Sequence, residues 1–159
     1  LVGSEMCIRD RSENPHILNI SPPLDMNPDW FSGHVAYSMA KFGMSLCVLG
    51  MAAEFKDDGV AVNALWPRTA IATAAVKNVL GGEQLVNISR GPEIMADAAY
   101  VILTKPSKEF SGNFCIDDTL LAENGVSDFS VYADVPFDQL APDFFVPEDM
   151  PPPEAAKKS

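Results

Sequence analysis

Short uninterrupted apolar runs and one long apolar stretch with helical spacing organise the chain. His16-Ile17-Leu18-Asn19-Ile20 and Val60-Ala61-Val62-Asn63-Ala64-Leu65-Trp66, the second ending at Pro67, read as buried strands. Between them, residues 33 to 56 place Ala36, Met39, Ala40, Met44, Cys47, Val48, Met51 and Ala52 on more than one helical face, with Ser32 as candidate cap. A helix apolar nearly all round must be covered on both sides. Strand, helix, strand is the unit of a parallel sheet. Further on, residues 70 to 80 predict a short helix ending at Gly81-Gly82. Residues 92 to 103 predict another, opened by Pro92, with Ile94, Ala98, Val101 and Ile102 inward and Lys105-Pro106-Ser107 as its stop. Residues 110 to 117 read as a last strand. From Val126 onward proline and acidic residues dominate, which predicts disorder, with Phe144 and Phe145 as the side chains able to clip the tail to the body or to a neighbouring subunit.

Candidate chemistry sits at the edges of these elements. Ser21 follows the first strand, and Tyr37-Ser38-Met39-Ala40-Lys41 opens the long helix. Residues four apart project from one helix face about a turn apart, which places an ammonium near a phenol. A nearby cation favours phenolate, whereas a free phenol titrates near ~10 and is a poor base at neutral pH. Ser21 then holds a substrate oxygen while Tyr37 gives or takes its proton. The trio suits interconversion of an alcohol and a carbonyl. The proline-rich loop after Ser21 is a candidate cleft wall, where Met26, Trp30 and Phe31 either contact an apolar substrate or pack the loop; His34 reads as an exposed helix-start residue, the alternative being a substrate contact.

A serine after a strand, Tyr-x-x-x-Lys, and a strand closing in Asn63-x-x-x-Pro67, in this order, resemble the C-terminal half of the short-chain dehydrogenase/reductase family over roughly residues 14 to 125. Within it, Asn14-Pro15-His16-Ile17-Leu18-Asn19-Ile20-Ser21-Pro22-Pro23, Ala64-Leu65-Trp66-Pro67-Arg68-Thr69-Ala70-Ile71 and Pro142-Asp143-Phe144-Phe145 are similar to the hydroxysteroid dehydrogenase-like proteins and their bacterial relatives. The resemblance implies an α/β fold, the C-terminal part of a doubly wound parallel-sheet Rossmann fold with its N-terminal cofactor-binding half missing. It implies an NAD(P)-dependent oxidoreductase acting on a small hydrophobic alcohol or ketone. Ser21, Tyr37 and Lys41 would be catalytic, with Tyr37 and Lys41 also at the cofactor. Pro67, Thr69, Ile71 and Thr73 would bind the cofactor, backbone groups near Ile71 at the nicotinamide carboxamide and the Thr69 or Thr73 hydroxyl at its amide or phosphate.

The chain departs from the family in places. Arg68 replaces a usual glycine and is expected to be a solvated surface arginine, the alternative being contact with an anionic substrate or phosphate. The glycine-rich turn that cradles a pyrophosphate has no counterpart, and the choice of NAD or NADP is not legible because the residue that decides it follows the second strand of the missing half. The chain by itself is therefore expected to be inactive and to fold poorly, with a sheet edge and apolar faces uncovered. In the family the long helix also packs against its copy, which implies a homodimer or homotetramer. The competing function class is a non-catalytic member that binds a nucleotide or a lipid-like ligand as sensor or scaffold.

The 159 residues, 47% hydrophobic, suffice for one modest core. A formal net charge of −11 argues against nucleic acid and anionic membranes as partners, since clustered Lys and Arg supply most of that affinity. The apolar runs are interrupted short of the ~20 residues of a membrane span. Cys7, Cys47 and Cys115 are odd in number and widely spaced, and His16 and His34 lack a ligand set, so no disulfide framework or zinc site is expected. Cys47 and Cys115 are expected to be buried thiols in a reducing, cytoplasmic setting. Met6-Cys7-Ile8-Arg9-Asp10-Arg11 looks like one reading frame of a sequencing-library transposon end, the alternative being an ordinary polar N-terminus of a truncated gene model; either way residues 1 to 12 are set aside as a non-native leader. Residues 13 to 125 then form the half-Rossmann domain, and residues 126 to 159 an acidic tail.

Overall fold

The computed structural model describes residues 12 to 158, so Cys7 and nearly all of the expected leader lie outside the described residues. The chain divides into two compact units, residues 1–66 with 99–115, and residues 67–98 with 116–159.

The first unit carries β1 (His16–Ile20), β2 (Ala61–Trp66) and the first two residues of β3 (Phe114–Ile116), in the order β1-β2-β3. β1 and β2 run parallel, in register from His16↔Ala61 to Ile20↔Leu65. All six residues of β2 are buried, because a central strand covered on both faces needs no polar alternation. The fold class is the α/β parallel sheet expected from the sequence.

Helix α1 (Val35–Glu54) crosses from β1 back to β2. It buries Ser38, Phe42, Ser45 and Val48, a three-and-four spacing that makes one stripe. Val48 packs on Val62 and Ala64, with Ile17, Met51, Ala52, Phe55 and Phe114 around them. The other side leaves Val35, Met39, Leu46 and Leu49 exposed. Cys47 is exposed as well and Cys115 half-buried, against expectation; one residue before Val48 is about 100° around the helix from the packed stripe. The N-cap is His34, without a side-chain cap bond, rather than Ser32. By length and composition alone α1 is apolar enough to cross a membrane; here it is the helix packed on the sheet.

The second unit contains a π-helical turn (Val76–Leu80), α2 (Gly82–Val86), α4 (Asp117–Glu123) and α5 (Glu154–Lys157). Helix α3 (Glu93–Thr104) continues from this unit into the first. Ile94, Ala98 and Ile102 are its buried positions, as the sequence predicts, while Val101 is only half-buried. The helix expected over residues 70 to 80 begins only at Ala74 and continues as the π turn, because residues 69 and 71 are in β-bridges. Gly82, with φ of 62°, takes the chain from that turn into α2 in a conformation other residues rarely adopt.

Disorder beyond Val126 is corrected by the structure. Phe129, Tyr132, Leu140, Phe145 and Ala156 are all buried, in a segment that carries 3-10 turns at Ser130–Tyr132 and Phe137–Gln139. Of the two expected clips only Phe145 is inserted, 1% exposed, while Phe144 stays outside. The prolines that suggested a loose tail instead set short extended turns between apolar anchors.

Candidate active site

Sequence places Ser21 at the end of β1, where the strand's last peptide meets a Pro-Pro loop; its side chain is fully buried, and its Oγ has no hydrogen-bond partner among the described residues. The carbonyls on either side of Ser21 are both held from α1. Lys41 Nζ donates to Ile20 O at 3.2 Å, and Ser45 Oγ to Pro22 O at 2.7 Å. Ser38 Oγ, one turn earlier, donates to Trp30 O. Residues 38, 41 and 45 lie along one side of the helix, so one row of polar side chains grips three backbone carbonyls of the strand end and loop. Lys41 also lies 5.1 Å over the Trp66 ring, a position in which the cation is attracted by the aromatic face.

Tyr37 stands a turn before Lys41 and is 49% exposed. In the loop, Trp30 Nε1 donates to Asp25 Oδ2 at 2.7 Å and Phe31 stacks on Phe42 at 5.2 Å, whereas Met26 is exposed. His34 is exposed, as expected. Among the described residues no group of three His, Cys, Asp or Glu is placed to hold a metal ion.

The second unit carries Pro67, Thr69, Ile71 and Thr73. Residues 68 to 72 are held on two sides. Ala70 N donates to Ala141 O at 2.9 Å and Asp143 N to Arg68 O at 2.9 Å on one side; Arg90 N donates to Ala70 O at 2.9 Å and Ala72 N to Arg90 O at 2.8 Å on the other. Thr69 is buried with its Oγ1 unpartnered among the described residues, Ile71 is buried, and Thr73 is exposed with its Oγ1 accepting from Val76 N at 3.3 Å. An orphaned buried hydroxyl such as that of Thr69 fits a polar ligand group better than a finished core, because leaving it unpaired costs about 1–3 kcal/mol.

Arg68 is buried, which corrects the expected solvated arginine. Its Nε meets both carboxylate oxygens of Asp118 at 2.7 and 2.8 Å, and Nη1 donates to Met150 O at 2.7 Å and Nη2 to Thr119 Oγ1 at 2.8 Å. A second buried guanidinium, Arg90, reaches Asp118 Oδ2 at 3.2 Å and lies over the rings of Phe129 and Phe137. Asp117 Oδ1 accepts from the backbone N of Arg68 at 3.0 Å and of Asp118 at 2.7 Å. Burial first, and the charge of Asp118 second, push its carboxyl up to about 7, against the opposing pull of the Arg68 N–H and of Arg90.

No family model matches the chain. It is 54% identical over 152 residues to hydroxysteroid dehydrogenase-like protein 2 of Danio rerio, covering 92% of this chain and 36% of that protein. A Xanthomonas campestris structure solved as a candidate dehydrogenase superposes with a TM-score of 0.81 at 48% identity, over 91% of this chain and 53% of that one. A short-chain dehydrogenase from Mycobacterium thermoresistibile gives 0.80 at 49% identity, over 94% and 53%. The chain is similar to part of these short-chain dehydrogenases. It spans about a third of the length of the curated relative and about half of each solved chain.

The residues that a motif reading misses are Ser38, Ser45, Arg90, Asp117 and Asp118. Ser38 and Ser45 did carry a signal, since they share the helical stripe of Phe42 and Val48, where a serine needs an acceptor. The pairing of Arg68 with an acid about 50 positions later had none.

Proposed function

We propose that this chain is the proton-transfer half of an NAD(P)-dependent oxidoreductase that interconverts a hydrophobic alcohol and ketone. The observation that carries it is the seating of Lys41, whose ammonium reaches the last carbonyl of β1, next to Ser21, from one helical turn beyond Tyr37. Ser21 Oγ would donate to the substrate oxygen, Tyr37 Oη would exchange the proton with it, and Lys41 would hold the phenolate form within reach. Pro67, Thr69, Ile71 and Thr73, with Tyr37 and Lys41, are the residues that would hold NAD or NADP. When bound, the nicotinamide supplies the hydride acceptor or donor.

The exposed apolar side of α1, with Met39, Leu46 and Leu49, is the surface this reading assigns to a second copy; light scattering on the full-length protein measures it. The decisive experiment follows nicotinamide absorbance in the full-length protein with a panel of hydroxy-lipids, ketones and acyl-thioesters. Tyr37→Phe should lose turnover by about 10² or more while retaining dinucleotide affinity. Dinucleotide binding by the unaltered protein with no turnover on any of them would favour the sensor or scaffold reading instead.

A further inference from the structure

The segment that this reading places at the cofactor is not a free loop. We propose that Arg68 and Asp118 are positioning residues, and that the C-terminal tail, through Ala141–Asp143 and Met150, is a built-in clamp holding residues 69 to 73 in the geometry that receives the nicotinamide. The inference rests on the oxidoreductase reading for what the segment binds, and on the second unit's own contacts for how it is held.

Residues 68 to 72 have almost no regular secondary structure, so their path is set by what grips them. The backbone of 68 and 70 is paired with 141 and 143 of the tail, and that of 70 and 72 with Arg90. The side chains close the same ring. Arg68 and Arg90 both end on the Asp118 carboxylate, and Arg68 extends to the Met150 carbonyl. Asp118 is thus the common acceptor of two guanidiniums that anchor the two sides of one segment. A single Nε–H of Arg68 meets both of its oxygens while Nη1 and Nη2 reach Met150 O and Thr119 Oγ1, three fixed directions from one planar group that a lysine ammonium does not hold at once. The whole assembly is buried, with Arg68 6% exposed and Arg90 and Asp118 fully covered. Charges this far from water hold their geometry firmly, because breaking one partner strands the other. The Thr69 hydroxyl, orphaned beside this network, is then carried at a fixed position rather than on a mobile turn.

The test uses the full-length protein and two measurements besides activity. Calorimetry compares NADH and NADPH with ADP-ribose and its 2′-phosphate, which lack the nicotinamide. Arg68→Met and Asp118→Asn should weaken the dinucleotides about tenfold and leave the ADP-ribose compounds unchanged. Unaltered dinucleotide affinity, or an equal loss for both classes, overturns the proposal. Arg68→Lys keeps charge and bulk if the harsher variants do not fold. In it, amide hydrogen exchange at Ala70 and Ala72 should quicken about tenfold while Val62 and Ala64 stay protected; unchanged protection at 70 and 72 also overturns the clamp. Should the unaltered protein bind no dinucleotide, the oxidoreductase reading fails, and hydrogen exchange still decides whether the clamp exists.

Discussion

Asn63 Oδ1 accepts from both the backbone N and the Nδ2 of Asn113, at 3.0 and 2.9 Å, while Asn63 Nδ2 donates to Phe110 O at 2.8 Å. The asparagine is completely buried in the central strand. It ties residues 110 to 113 to β2 just before β3 begins, a polar staple inside an otherwise apolar strand. Asn63→Ala leaves two half-buried donors of Asn113 and the Phe110 carbonyl unmet. It should therefore lower unfolding free energy by about 2–4 kcal/mol in denaturant titration of the full-length protein. A loss under about 0.5 kcal/mol would show that the staple is replaceable by water.

The grip of α1 on the loop after β1 gives a second expectation. Ser45→Ala frees the carbonyl of Pro22 and should cost about 1–2 kcal/mol of stability. Because that carbonyl follows Ser21, turnover should fall several-fold with little change in dinucleotide affinity. A variant with normal turnover would separate Ser45 from the positioning of Ser21.

Asp117 supplies a pH dependence. Its carboxyl is raised from 3.8 to about 7 in the folded protein, by burial and by Asp118. Between those values the folded state holds a proton that the unfolded chain has released, so the contribution is whole below about pH 4 and is lost as pH rises through about 7. Stability should thus decline from about pH 4 to about pH 7, by up to about 4 kcal/mol from this group. Asp117→Asn keeps the oxygen that accepts from Arg68 and Asp118 and removes the titration, so its denaturation midpoint should be flatter over that range. An identical slope in the variant would assign the dependence to other groups.

The β1, α1, β2 unit, and the positions of Ser21, Tyr37 and Lys41 along it, were legible in the sequence because they rest on local rules. Four residues are about one helical turn, an apolar run before a proline ends a strand, and a serine after a strand sits at a sheet end. Arg68 was not legible. Its acid partner is 50 residues away in sequence, so nothing local told a buried guanidinium from a solvated one. The tail was misread for the same reason, since proline and acid content describe a solvated chain, whereas Phe129, Leu140 and Phe145 are covered by partners that only the tertiary structure supplies. Cys47 erred the other way, as α1 buries one stripe within this chain and leaves the next exposed. Spacing along the chain sets which side chains share a face. Which faces are covered, and which charges meet there, is settled by long-range packing, because burial is a property of the neighbours and not of the residue.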